Sequence, residues 1–251
     1  DSISSELNKF KSLNHEILMY LIDNCEINEK RILKQCLLYP AIMNHDKILI
    51  EYLLKNNVAF DNALFDAVKC NNLEIVDLIL NHNCQPYFIN KKTRDGTALH
   101  AAIENGNLQI VQRLLSIKGI DLNLYDSHHS TPLIAAALKN NLDIFNAILD
   151  FYDDNIQSQK SQLDNATTAL LDSIYFYDLK KSILPILKRI LEFKNINPNC
   201  HGKEYSLLSY SCTINEIDFV KILIKKDKID LNAYSSANGD TPLMIAIDKK
   251  N

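Results

Sequence analysis

Glycine is scarce and tryptophan is absent: the 251 residues hold five Gly and no Trp. Folds built from sheets and tight turns rely on glycine for positive φ, so this shortage disfavours them. Long hydrophobic runs are missing too. No stretch reaches the ~18 uncharged apolar residues of a transmembrane helix, so no membrane insertion is expected of this segment. The stretch from Asp1 to Lys11 is polar and lacks the apolar core of a signal peptide. A dense Lys/Arg block is also lacking, and the net charge is -4. Nucleic-acid binding needs a basic stripe to displace counterions, so no nucleic-acid partner is expected.

Catalytic signatures are equally sparse. The chain has no G-x-x-x-x-G-K, no G-x-S-x-G and no H-E-x-x-H. Neither an enzyme nor a cofactor is expected, and no metal. Cys25, Cys36, Cys70, Cys84, Cys200 and Cys212 form no C-x-x-C pair. That scatter fits free thiols in a reducing compartment. The expected location is cytoplasmic; a host-cell cytosol, for a secreted microbial effector, would look the same. His128-His129 and Cys200-His201 are read as solvated tip residues, because a metal site needs about four converging ligands.

What is present is self-similarity. Thr97-Ala98-Leu99-His100-Ala101-Ala102 recurs as Thr131-Pro132-Leu133-Ile134-Ala135-Ala136 and as Thr241-Pro242-Leu243-Met244-Ile245-Ala246. Weaker copies begin at Asn62, Thr168 and Ser206. Subtracting the starting positions 62, 97, 131, 168, 206 and 241 gives steps of 35, 34, 37, 38 and 35 residues. A second block follows in register, as in Asn72 to Leu80, Asn107 to Leu115, Asn141 to Leu149 and Glu216 to Ile224. Its apolar residues fall at helical spacing. A third block closes several copies: Ile120-Asp121-Leu122-Asn123, Ile196-Asn197-Pro198-Asn199 and Ile229-Asp230-Leu231-Asn232. With 47% hydrophobic residues there is enough apolar surface to pack such an array.

These three linked blocks resemble the ankyrin repeat, whose period is ~33 residues with a T-P-L-H-x-A signature. The expected fold is an all-α ankyrin-repeat solenoid of about seven helix–turn–helix units with projecting hairpin loops. Residues 1–27 are expected to form an N-terminal capping helix region, centred on Glu16 to Ile22, and residues 28–251 the array. The first unit is degenerate, with Ile48 to Leu54 as its second helix and Pro40 disturbing the region before it. Asp153 to Asp164 and Tyr175 to Ser182 read as insertions. The last unit stops before its second helix, so the array or another domain is expected to follow. The Thr hydroxyls are expected to cap first helices. His100 is expected to bond between repeats, and Asn of the D-x-N loops to tolerate unusual backbone angles.

The resemblance implies a protein-interaction module whose partner, another protein, meets the concave face and hairpin tips. On that face the expected contacts are Leu138, Tyr175, Phe176 and Ile214, an apolar strip across adjacent units. Tyr175-Phe176 also read as rings packed under the insertion that they open. At the tips they are Tyr125, His128, Lys203 and Tyr205. Two other readings fit the same pattern. One is a targeting or regulatory domain of a larger enzyme or effector whose catalytic part lies beyond residue 251. The other is a scaffold or the cytoplasmic domain of a membrane protein.

Overall fold

A computed structural model of the chain describes residues 15–24, 37–56, 62–83, 85–151, 164–168, 170–171, 184–192, 196–235 and 238–248. It divides into two bodies, Asp1–His129 and Ser130–Asn251. The N-terminal body holds α1 (His15–Asn24), α2 (Lys47–Lys55), α3 (Ala63–Lys69), α4 (Leu73–His82), the short α5 (Pro86–Ile89), α6 (Ala98–Glu104) and α7 (Leu108–Leu115). The C-terminal body holds α8 (Pro132–Leu138), α9 (Leu142–Phe151), α10 (Leu184–Leu191), α11 (Leu207–Thr213), α12 (Ile217–Ile224) and α13 (Pro242–Asp248). Residues 37–43 and 164–168 are also helical, and Pro40 sits inside the first of these runs without breaking it. Among the described residues there is no strand, only isolated bridges at Thr93–Gly96 and His201–Ser206.

Within the N-terminal body α3 packs on α4, the second helix of its own repeat, and on α6, the first helix of the next; within the C-terminal body α11 packs likewise on α12 and α13. Second helices stack likewise, α4 between α2 and α7, and α10 between α9 and α12. This double duty explains composition. In α6 all six residues from Ala98 to Ile103 are buried, and small alanines let the neighbouring helices approach. Second helices bury one stripe only: Ile75, Val76, Ile79 and Leu80 in α4, then Ile110, Val111, Leu114 and Leu115 in α7.

The joint between the two helices of a repeat is fixed by three residues. Its middle residue is left-handed in every described copy: His45 (φ 58), Asn71 (φ 56), Gly106 (φ 68), Asn140 (φ 53) and Asn215 (φ 57). Asn and Gly tolerate that geometry best, which is why they recur there. The next residue sends its amide back to a carbonyl in the first helix, as in Asn107 to Ala102 (3.2 Å) and Asn141 to Ala136 (3.3 Å). This closes a Schellman turn. The same residue then caps the second helix: Asn107 Oδ1 accepts from Ile110 N at 3.0 Å, and Asn141 Oδ1 from Ile144 N at 3.1 Å. One asparagine thus ends one helix and starts the next.

The D-x-N loops work differently from expectation. Asn123, Asn199 and Asn232 do not take the left-handed conformation; the loop residues that do are Gly119, His129, Lys228 and Gly239. Instead the first residue of each motif folds the chain, Asp121, Asn197 and Asp230 accepting from the amide two residues on. Such Asx turns use the short polar side chain as a surrogate backbone. Between loops, Asn90 donates to Gly119 O (2.8 Å) and accepts from Asp121 N (2.9 Å). Asn199 clamps Lys228 O (2.8 Å) and Asp230 N (2.8 Å) in the same way. Second helices are tied by Arg113 to Asp77 at 2.5 Å and by Arg189 to Asn146 at 2.9 Å.

Candidate protein-binding face

The face begins where first helices end. Leu138 is the last residue of α8 and Ile214 the C-cap of α11; both are half-buried, with an apolar edge left to solvent. Tyr175 and Phe176 lie outside the described residues. The matching positions of the N-terminal body are polar. Lys69 pairs with Asp95 of the next tip at 3.0 Å and stands over the Phe65 ring at 5.2 Å. The bond from Lys69 holds the Asp95 carboxyl below its usual range. Asn105 sends Nδ2 back to Val68 O at 2.7 Å, a tie between repeats. Beside Asp66, the Cys70 thiol donates to Met43 Sδ at 3.3 Å, and burial pushes its pKa up. Met43 is 38% exposed, an apolar contact that sequence reading missed because the first repeat lacks the T-P-L block.

The tips form the second element. Tyr125 and His128 are exposed on a loop folded by Asp126, whose Oδ1 accepts from His128 N at 2.8 Å. Lys203 is exposed and Tyr205 half-buried on a loop closed by Gly202 N to Tyr205 O at 2.9 Å. Tyr87 and Tyr234, at 74% and 65% exposure, are further rings that no motif signalled. Gly96 shapes the tip of its repeat: with φ +115, an added Cβ would meet Asp126 Cβ at 3.0 Å and His100 Cβ at 3.1 Å. His100 itself is buried, and its Nδ1 faces Thr97 of its own repeat, 3.3 Å from the amide and 2.9 Å from the hydroxyl. Capping by a signature hydroxyl is seen at Ser206, which accepts from Ser209 N, and at Thr241, which accepts from Met244 N.

One tip assignment is corrected. Cys200 is not solvated: only 4% of it is exposed. Its thiol points to the Asp164 carboxylate at 3.8 Å, and desolvation with that negative neighbour pushes its pKa up to about 12. So little thiolate makes it a poor nucleophile or metal ligand. Its neighbour His201 is exposed and is held by Tyr234 O at 3.2 Å. Among the described residues no three His, Cys, Asp or Glu side chains gather to hold a metal. None of the described helices is long and apolar enough to cross a membrane. What the two elements offer is a mixture of apolar edges, exposed rings and both signs of charge, which suits recognition of a surface.

Comparison with known proteins agrees with this architecture. The profile of ankyrin repeats (three copies) matches residues 64–160 and 178–251. The chain belongs to the ankyrin-repeat family. The ankyrin repeat domain of Bcl-3 superposes with a TM-score of 0.60 at 17% identity, covering 83% of this chain and 92% of that one. NAD-dependent deacetylase sir2B of Dictyostelium discoideum is 25% identical over 191 residues, 74% of this chain and 24% of that protein. An ankyrin repeat protein of fowlpox virus is 30% identical over 152 residues, 45% of this chain and 26% of the viral protein. A probable serine/threonine-protein kinase of Dictyostelium discoideum is 32% identical over 167 residues, 63% of this chain and 18% of the kinase. The chain therefore spans about a quarter or less of the length of these relatives.

Proposed function

We propose that this chain binds another protein through the ends of its first helices and its hairpin tips. The observation that carries this reading is the pairing of accessible apolar side chains with fixed backbone. Leu138 and Ile214 keep an exposed edge on helices whose termini are locked by Schellman turns. A surface held ready in this way loses little conformational entropy on association. Tyr125 adds a ring at a tip, and aromatic side chains concentrate binding energy where they become buried. His128, in the N-terminal body, and Lys203 and Tyr205, in the C-terminal body, are proposed to add polar contacts at their own tips. Tyr175 and Phe176 are proposed to extend the apolar strip between Leu138 and Ile214.

The test is an affinity capture that compares the parent with a variant carrying Leu138→Glu, Tyr175→Glu, Phe176→Glu and Ile214→Glu. Circular dichroism on both establishes that each is folded. A protein retained by the parent and lost by the folded variant supports the face; equal retention by both removes it.

A second reading is favoured by the relatives. Two of the three are named as enzymes, and the aligned region takes in only 24% and 18% of them. On this reading the chain is the targeting domain of a larger enzyme. A deacetylase-type or kinase-type catalytic segment in the same open reading frame would establish it, and a frame without one would end it.

A further inference from the structure

One hairpin tip of the N-terminal body stands apart in charge. Between Pro86 and Gly96 lie Lys91, Lys92 and Arg94 against a single acid, Asp95. The Asp95 carboxylate is already bonded to Lys69 Nζ at 3.0 Å. The stretches 121–129 and 230–240 hold acids and no Lys or Arg, and 197–205 offsets Lys203 with Glu204. A basic tip on a chain of net charge -4 is a local feature, not a reflection of composition.

The local fold holds these charges beside an exposed ring. Pro86 opens α5 with its φ already set for a helix. Phe88 and Ile89 are buried and anchor the turn, while Tyr87 faces solvent. Lys91 Nζ donates to Tyr87 Oη at 3.2 Å and stands 5.3 Å from the ring centre. Thr93 and Gly96 close a turn, Thr93 N donating to Gly96 O at 2.8 Å, so the exposed Lys92 and Arg94 sit on fixed backbone. Gly119 seats on Pro86, where an added Cβ would meet Cγ at 3.0 Å, and its carbonyl accepts from Asn90 Nδ2 at 2.8 Å. That contact brings the exposed Lys118 to the same platform.

We propose that Tyr87, Lys91, Lys92, Arg94 and Lys118 bind an acidic segment of a partner protein, one with an apolar side chain between its carboxylates. The proposal rests on the reading of this chain as a protein-binding one and adds the chemistry of the partner. Several cations that share one small platform attract carboxylates and speed their encounter. Tyr87 offers a rigid ring to the apolar side chain. A nucleic acid fits less well. It calls for a basic stripe that reaches many phosphates, and the neighbouring tip at 121–129 does not continue one.

Fluorescence anisotropy tests it with a labelled peptide of repeated Glu-Leu-Asp. The chain should bind this peptide, more weakly as salt rises from about 0.05 to about 0.3 M. Lys92→Glu with Arg94→Glu should weaken binding at least about tenfold, and Tyr87→Ala at least about threefold. Lys55→Glu with Lys225→Glu, exposed charges placed elsewhere, should change it less than about twofold. Circular dichroism monitors folding, and the milder Lys92→Gln with Arg94→Gln gives the same reading if charge reversal disturbs it. No binding by the parent at low salt overturns the proposal, as does unchanged binding in the Lys92, Arg94 or Tyr87 variants. So does an equal loss in the Lys55 and Lys225 variant, or tighter binding of single-stranded oligothymidylate than of the peptide. A chain with Leu138→Glu and Ile214→Glu should bind the peptide as the parent does, so failure at this tip and failure of the face at Leu138 and Ile214 are read separately.

Discussion

At Cys200 a single thiol shows how position outweighs neighbourhood in sequence. It sits between Asn199 and His201, yet it is buried and faces Asp164. An unfolded thiol ionises near 9.0, and this one only near about 12. Above pH 9.0 the unfolded chain therefore sheds this proton first, so the thiol's contribution to stability is full below that pH and falls as pH rises to about 12. Reactivity follows the same cause. At about pH 8, iodoacetamide should label Cys200 at least a hundredfold more slowly in the native chain than in urea. Peptide-level mass spectrometry measures this, and equal rates would show that the thiol is open. Gly96 is a second residue whose role is local. Gly96→Ala adds a Cβ where φ is +115 and neighbouring carbons lie at 3.0 and 3.1 Å. About 1–3 kcal/mol of stability should be lost, read from the urea midpoint.

Between elements, the asparagine clamps carry the register of one loop on the next. Asn90 satisfies a carbonyl and an amide that lie 29 and 31 residues further on. Asn90→Ala removes both bonds and should cost about 1–2 kcal/mol in urea unfolding. Asn90→Asp separates the two. It keeps the acceptor for Asp121 N but sets an oxygen against Gly119 O, so it should destabilise at least as much as alanine. If Asp is instead harmless, the donor half of the clamp contributes nothing. At the N-terminal edge, α1 is fastened to the next repeat by comparable polar ties. His15 Nε2 meets Asp46 Oδ2 at 2.7 Å, and Tyr52 donates to Asp23 Oδ1 at 2.6 Å. These bonds accompany the packing of α1 on α2.

For the molecule as a whole, what could be read in advance was whatever repeats at a fixed local spacing. The second helices were legible because their apolar stripe recurs every three and four residues. The capping role of Asn72, Asn107 and Asn141 went unread, although each heads a recurring second block and bonds an amide within three positions. The helix ends at Leu138 and Ile214 followed from the same register. The clamps were not legible, since Asn90 finds Gly119 only after α6 and α7 have brought the loops together. Nor was the exposure of Met43 legible, because the first repeat carries no T-P-L block to set its register. Pro40 misled for a related reason: a residue that ends helices in isolation sits here inside the helical run 37–43.

The three-residue joint has a consequence for how such a chain can change. Steps between repeats vary from 34 to 38 residues, yet the joints after α3, α6, α8 and α11 all have the same length. Among these four repeats length variation falls in the other connections, whereas the repeat that begins at Thr168 carries Tyr175 to Ser182 between its first block and α10. Adding one residue to a joint would rotate the second helix by about 100° and turn its stripe away from the core. In those four repeats the joint is therefore the fixed measure, and the outer loops are their margins, free to lengthen while the text between them stays in line.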